Sequence, residues 1–206
     1  MKLYLIRHGQ TDWNVEQKIQ GHQDIPLNDV GLSQAAALAE GMKSRPVKQI
    51  FASPQKRAMQ TAQAVAAAQN VPLISLPGLM EISYGKWEGR TIDEIRNGPD
   101  RQLFEDWWKH PATVAPPGGE TLFQVDARCK QSWDFIKAAL RKNPSDAAIV
   151  SHGGTLAHLI AHMLSGQSDA KEIIPANVSI TTIGWDLESD TCHLLDLNNV
   201  EHLKKV

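Results

Sequence analysis

Two histidines, two arginines and one carboxylate stand where this chain of 206 residues passes from short apolar runs into turns. Arg7 and His8 follow the run 2–6, and Ser53-Pro54 and then Arg57 follow 49–52. Glu81 comes after 71–76 and a Pro77-Gly78 turn, and His152 follows 147–150. Each run precedes or follows a helix-like stretch, the pattern of strands in an α/β sheet, where ligands bind beyond the carboxyl ends of the strands. Taken singly, each residue has a plainer reading. A histidine at a strand end is commonly a hydrogen-bonded structural residue, and Arg57 at a helix start is a solvated charge that opposes the helix dipole. Together they are harder to dismiss, because like charges converging on one crevice cost energy without an anion between them.

An anion with several oxygens suits this set. Guanidinium forks match phosphate oxygens in pairs, and helix starts after Gly9 and Gly153 offer N–H donors. A neutral imidazole in such a pocket can attack phosphorus and carry the phosphoryl group, which splits one hard step into two easier ones. The leaving oxygen then needs a proton. Glu81 is the candidate acid, since a phosphate dianion beside a carboxyl favours its protonated form. The same group would serve as base toward water in the second step.

The elements that must position these residues can be read in outline. Asn28 is a plausible N-cap for a helix over 30–44, and Ser53 a cap for a helix over 55–69 with Pro54 in its first turn. Thr121 opens a long helix to about Arg141, ended by Asn143-Pro144. A further helix runs from Gly153 to Leu164, and strands at 178–186 and 193–197 finish the chain. Residues 84–120 break the alternation with Trp87, Trp107, Trp108 and two Pro/Gly clusters, and read as a helical insertion rather than an independent domain. The expected architecture is one α/β domain over 1–206: a three-layer sandwich with a mostly parallel central sheet and a small helical insertion over the active site.

Composition sets the bounds. With 21 basic and 23 acidic residues the net charge is −2, and 42% of residues are hydrophobic. These values exclude collagen-like and disordered classes and suggest neither a nucleic-acid nor a membrane partner. No apolar stretch nears the ~18 residues of a membrane span, no leader pattern opens the chain, and Cys129 and Cys192 lack metal or redox spacing. A cytoplasmic protein is expected.

At these residues the chain resembles the histidine phosphatase superfamily, in its phosphoglycerate-mutase-like branch. The residues are Arg7-His8-Gly9-x-Thr11-x-x-Asn14, Gln20-Gly21, Asp24-x-Pro26-Leu27, Ser53-Pro54-x-x-Arg57-Ala58-x-x-Thr61-Ala62 and Leu79-x-Glu81. They continue in Gly85-x-Trp87-Glu88-Gly89, Gly118-Gly119-Glu120 and Ser151-His152-Gly153-Gly154. The resemblance implies that His8 is the phosphorylated nucleophile and Glu81 the proton donor and acceptor, with Arg7, Arg57 and His152 completing the phosphate pocket. It further implies that Asn14, Gln20 and the backbone of Gly153 bond the phosphoryl oxygens, and that neither metal nor cofactor is needed. Gln10 stands where the family usually has Glu.

Mutases of the family follow the acid with Arg-His-Tyr-Gly and carry an Arg-Arg pair for the substrate carboxylate. Here Glu81 is followed by Ile82-Ser83-Tyr84-Gly85, and no Arg-Arg pair occurs. The chain is in this respect similar to broad-specificity and α-ribazole phosphatases. The expected partner is a small phosphomonoester, with a phosphoglycerate-type mutase and a non-catalytic phosphoanion-binding module as alternatives. Four features stay open at this level. Trp107 and Trp108 either line a substrate pocket or pack the insertion onto the domain. His158 and His162 have the spacing of metal ligands on a helix, though packing is the plainer reading. His22 lies near enough to the pocket rim to touch substrate. The late strands, if at a sheet edge, could pair between chains.

Overall fold

The computed structural model describes residues 1–165 and 174–205. In chain order its main elements are β1 (Lys2–Arg7), α1 (Asp12–Val15), α2 (Asp29–Met42), β2 (Gln49–Ala52), α3 (Lys56–Gln69) and β3 (Leu73–Ser75). There follow α4 (Ile92–Arg96), α5 (Arg101–Lys109), α6 (Leu122–Lys142), β4 (Ala147–Ser151), α7 (Gly153–Met163), β5 (Ile180–Asp186) and β6 (Thr191–Asn199). The six strands form one sheet in the order β3-β2-β4-β1-β5-β6. The first four are mutually parallel, and β5 and β6 are antiparallel additions.

Alternation along the central strands creates the layers. Leu3 and Leu5 of β1, with Ala147 and Ile149 of β4, face a core shared with α6 and α7. Tyr4 and Ile6, with Ala148 and Val150, face the opposite core against α2 and α3. Side chains of successive strand residues point to opposite faces, so a strand covered on both sides is apolar along its length, as Ala147 to Val150 of the fully buried β4 are. Each such Leu or Ile contributes roughly 1.5–3 kcal/mol on burial. The result is the three-layer, mostly parallel architecture expected.

Residues 85–109 form a third, smaller cluster in which Trp87, Ile95 and Phe104 are buried and Trp107 and Tyr84 pack against them. Edge-on and tilted rings at 5.6 Å (Trp87–Trp107 and Trp87–Phe104) fill it. Both Trp87 and Trp107 therefore pack the insertion. Among the described residues no helix is long and apolar enough to cross a membrane. β6 is the sheet edge, with Leu194, Leu195 and Leu197 exposed.

Caps decide where the helices start. Asn28 accepts from the Gly31 N–H and opens α2, and Thr121 forms a capping box with Gln124 at α6, both as expected. Ser53 does not cap α3. Its Oγ bonds the His152 ring at 2.8 Å and accepts from the Gln55 N–H at 3.3 Å; the chain stays extended through Gln55 and the helix begins at Lys56. A distant carboxylate takes over: the Lys56 N–H donates to Asp24 Oδ1 at 2.6 Å. The single turn α1, with its Thr11–Asn14 capping box, has no counterpart in the expected elements.

Candidate active site

Register brings the site together. Parallel pairing sets Arg7 opposite Ser151 and Ala52 opposite Val150. His8, His152 and Ser53 therefore emerge side by side at the carboxyl ends of β1, β4 and β2. The His8 and Ser53 N–H groups extend the ladder by donating to Ser151 and Val150 at 3.0 Å. The two imidazole centroids lie 5.1 Å apart.

His8 is 2% exposed, and its Nδ1 is 2.6 Å from the Gly9 carbonyl oxygen. A carbonyl only accepts, so Nδ1 carries the hydrogen and Nε2 keeps a lone pair. Burial, followed by the Arg57 and Arg7 charges, drives the His8 pKa well below 6.5, so the ring is neutral. His152 is oriented just as firmly. Arg57 Nε donates to its Nδ1 at 3.2 Å, which leaves the hydrogen on Nε2 to bond Ser53 Oγ. Both ring nitrogens of His152 are thus engaged within the protein, and burial with Arg57 also holds this imidazole neutral.

Arg57 is fully buried, and its pKa falls to about 10 through burial. Its two terminal nitrogens donate to the carbonyls of Gln23 at 2.7 Å and Gly21 at 2.9 Å. Gly21 has a φ of +49°, which glycine adopts without strain and which turns its carbonyl to Arg57 and to the Gln55 amide. Arg7 donates to the Pro175 carbonyl at 2.8 Å, and its Nε is buried without a partner. Two guanidiniums beside a neutral imidazole are a site prepared for a dianion.

Glu81 stands at the N-terminus of α7. Its Oε1 accepts from Ile82 N at 2.9 Å, Thr155 N at 3.0 Å and Thr155 Oγ1 at 3.3 Å, and its Oε2 accepts from Gly154 N at 3.3 Å. The α7 donors expected to meet phosphate are therefore occupied in part by this carboxylate, and the Gly9 N–H is taken by Thr61 Oγ1. Gly153 backs the Arg7 guanidinium, since a Cβ there would sit 3.4 Å from Arg7 Cζ.

The segment bearing Glu81 is gripped from several elements. Gln55 accepts from the Glu81 N–H at 2.8 Å, and His22 Nε2 donates to the Glu81 carbonyl at 2.9 Å. His22 thus braces Glu81 through its peptide. Arg128 of α6 donates to the carbonyls of Gly78, Met80 and Glu81 and pairs with Glu120 at 2.9 Å.

His8, Arg7, Arg57 and Glu81 line one cavity of about 600 Å³, together with Asn14 and Gln20. Asn14 Oδ1 accepts from Thr11 N and Oγ1, which leaves its NH₂ as the remaining donor. Gln20 Oε1 is buried without a partner. At the other end the walls are Tyr84, Trp87, Phe104, Trp107, Trp108 and Leu122, so the two open tryptophans line the cavity as well as pack the insertion. Gln10 lies outside it and accepts from the Asn28 side chain that caps α2. His162 is exposed on α7, while His158 pairs with Asp126.

The family model described as "Histidine phosphatase superfamily (branch 1)" matches residues 3–199. The solved α-ribazole phosphatase from Shigella flexneri superposes with a TM-score of 0.84 at 27% identity, covering 97% of this chain and 96% of that one. A mycobacterial glucosyl-3-phosphoglycerate phosphatase solved with VO3 gives 0.82 at 31% identity over 97% and 99%. Among curated proteins, "Probable phosphoglycerate mutase GpmB" of Yersinia pestis is 29% identical over the full length of both chains.

Proposed function

Since the chain belongs to branch 1 of the histidine phosphatase superfamily, we propose that it hydrolyses small phosphomonoesters through a phosphohistidine on His8, without a metal. The observation that carries this is the His8 ring itself. It is neutral, fixed through Nδ1 to Gly9, and backed by the buried Arg57 and half-buried Arg7 guanidiniums on the same cavity as Glu81.

In the first step the Nε2 lone pair attacks phosphorus and the P–O ester bond breaks. Glu81 gives a proton to the departing oxygen, which leaves as the alcohol. In the second step Glu81, now a carboxylate, takes a proton from water. The water oxygen attacks phosphorus, the P–N bond breaks, and inorganic phosphate departs. Arg7 and Arg57 neutralise the equatorial oxygens in both steps, where charge is greatest. Asn14 and Gln20 add side-chain contacts to the phosphoryl group. His152 fixes the Arg57 fork and walls the His8 ring.

Hydrolysis is favoured over phosphoryl return to a phosphoglycerate because the cavity beyond the phosphoryl end is walled by aromatic and aliphatic side chains. Incubation with a ³²P-labelled phosphomonoester followed by alkaline quench tests the reading. Acid-labile label on wild type and none on His8→Ala is expected, and label that persists in His8→Ala defeats it. With 3-phosphoglycerate and its bisphosphate, faster appearance of 2-phosphoglycerate than of free phosphate would make the enzyme a mutase.

A further inference from the structure

One imidazole stands on the largely aromatic half of the cavity, whose lining also holds the unpartnered Nε1 groups of Trp87 and Trp107. His158 lies on α7 four residues after Gly154, so the two share a helix face one turn apart, about 6 Å. Gly154 N–H contacts the Glu81 carboxylate, and both Gly154 and His158 line the cavity. His158 therefore stands one turn beyond the group that protonates the leaving oxygen, on the side where the leaving group must lie. Its side chain is 14% exposed, and its Nδ1 is 2.6 Å from Asp126 Oδ1. A carboxylate only accepts, so Nδ1 carries the hydrogen and Nε2 is the ring nitrogen left for a ligand. Nε2 has no hydrogen-bond partner among the described residues. The ammonium of Lys18, also on the lining, is already paired with Glu16 at 2.7 Å.

We propose that His158, oriented by Asp126, selects the leaving group by accepting a hydrogen bond from a hydroxyl or N–H on an otherwise apolar, ring-sized alcohol or phenol. A para-substituted ring spans about the length of the helix turn between Gly154 and His158. The proposal rests on the phosphomonoesterase reading, and its test separates the two.

The test compares kcat/KM for 4-hydroxyphenyl phosphate and 4-methylphenyl phosphate, which are matched in size and close in leaving-group acidity. Wild type is expected to favour the hydroxyl ester about five- to tenfold, because the analogue without the donor leaves Nε2 unpaired. His158→Leu should bring the ratio to one or below. Asp126→Asn, at an exposed position, should lower it by loosening the ring. A ratio that His158→Leu leaves unchanged overturns the proposal, as does a wild-type preference for the methyl ester or for 3-phosphoglycerate over both. Release of phosphate from no ester at all would instead refute the phosphatase reading.

Discussion

Replacing Glu81 by Gln separates its chemical role from its structural one, because the two amount to very different losses. Oε1 receives three of the four hydrogen bonds to this carboxylate, from Ile82 N, Thr155 N and Thr155 Oγ1, and a Gln oxygen can keep all three. Only Oε2 becomes NH₂, facing the Gly154 N–H across 3.3 Å. One weak bond is exchanged for a donor–donor contact, a cost of about 1 kcal/mol. For a chain of this length that lowers Tm by about 2–4 °C. The lost proton transfer is larger, about 10²- to 10⁴-fold in rate. The loss should depend on the leaving group. Alkyl phosphates need the proton and should suffer the full effect. 2,4-Dinitrophenyl phosphate leaves as a stable anion and should lose less than about tenfold in the first step. Because the variant also lacks the base for water, it should release a burst of dinitrophenolate equal to the enzyme present and then slow. Steady-state kcat/KM across a leaving-group series, with stopped-flow for the burst, measures both. Equal losses on alkyl and dinitrophenyl esters would refute the assignment of Glu81 as acid.

The remaining expectations follow from other parts of the site. Arg128→Met removes the donor to three main-chain carbonyls and Glu120, so urea unfolding should show a loss of about 2–4 kcal/mol together with a fall in kcat. An unchanged kcat would mean that the Glu81 segment does not need this support. Burial depresses the native pKa of His8 and His152 below the unfolded value of about 6.5, so the unfolded chain binds more protons as pH falls. Stability is therefore full above about pH 6.5 and declines below it, approaching about 2.7 kcal/mol per pH unit while both rings are protonated only in the unfolded chain. Urea midpoints flat from pH 7 to 5 would contradict the neutral rings. Inorganic phosphate, by relieving Arg7 and Arg57, should stabilise wild type by about 2.7 kcal/mol at a hundred times its Kd. Arg57→Met should lose most of the accompanying rise in Tm, and an equal rise in this variant would place the anion elsewhere.

What could be read from residue order and what could not divide along a physical line. Arg7, His8, Arg57, Glu81 and His152 were legible because each follows directly from where a strand ends, and parallel pairing of β1, β4 and β2 converts that into proximity. Gln55, Thr155, Arg128 and Asn177 were not. They act on main-chain atoms far away in sequence, as Asn177 does on the His8 carbonyl across 169 positions, and nothing in their local spacing marks the target. Ser53 looked like a helix cap by its neighbours and instead joins the Gln55 N–H to the His152 ring, its oxygen serving a tertiary partner as well as a local one. His22 was placed near the rim correctly, but its ring is directed to a peptide carbonyl.

Helix α6 carries Asp126 and Arg128 two residues apart, the first bonded to the imidazole on the leaving-group side and the second to the peptide of the acid. In the proposed mechanism a single rigid rod is thus geared to both the rate of bond cleavage and the choice of what is cleaved. Any rotation of that rod moves the two settings together. Attempts to retune substrate range by repacking beneath α6 should therefore trade turnover for selectivity, whereas changes made on the facing wall, at Trp107 or Trp108, leave the gearing intact.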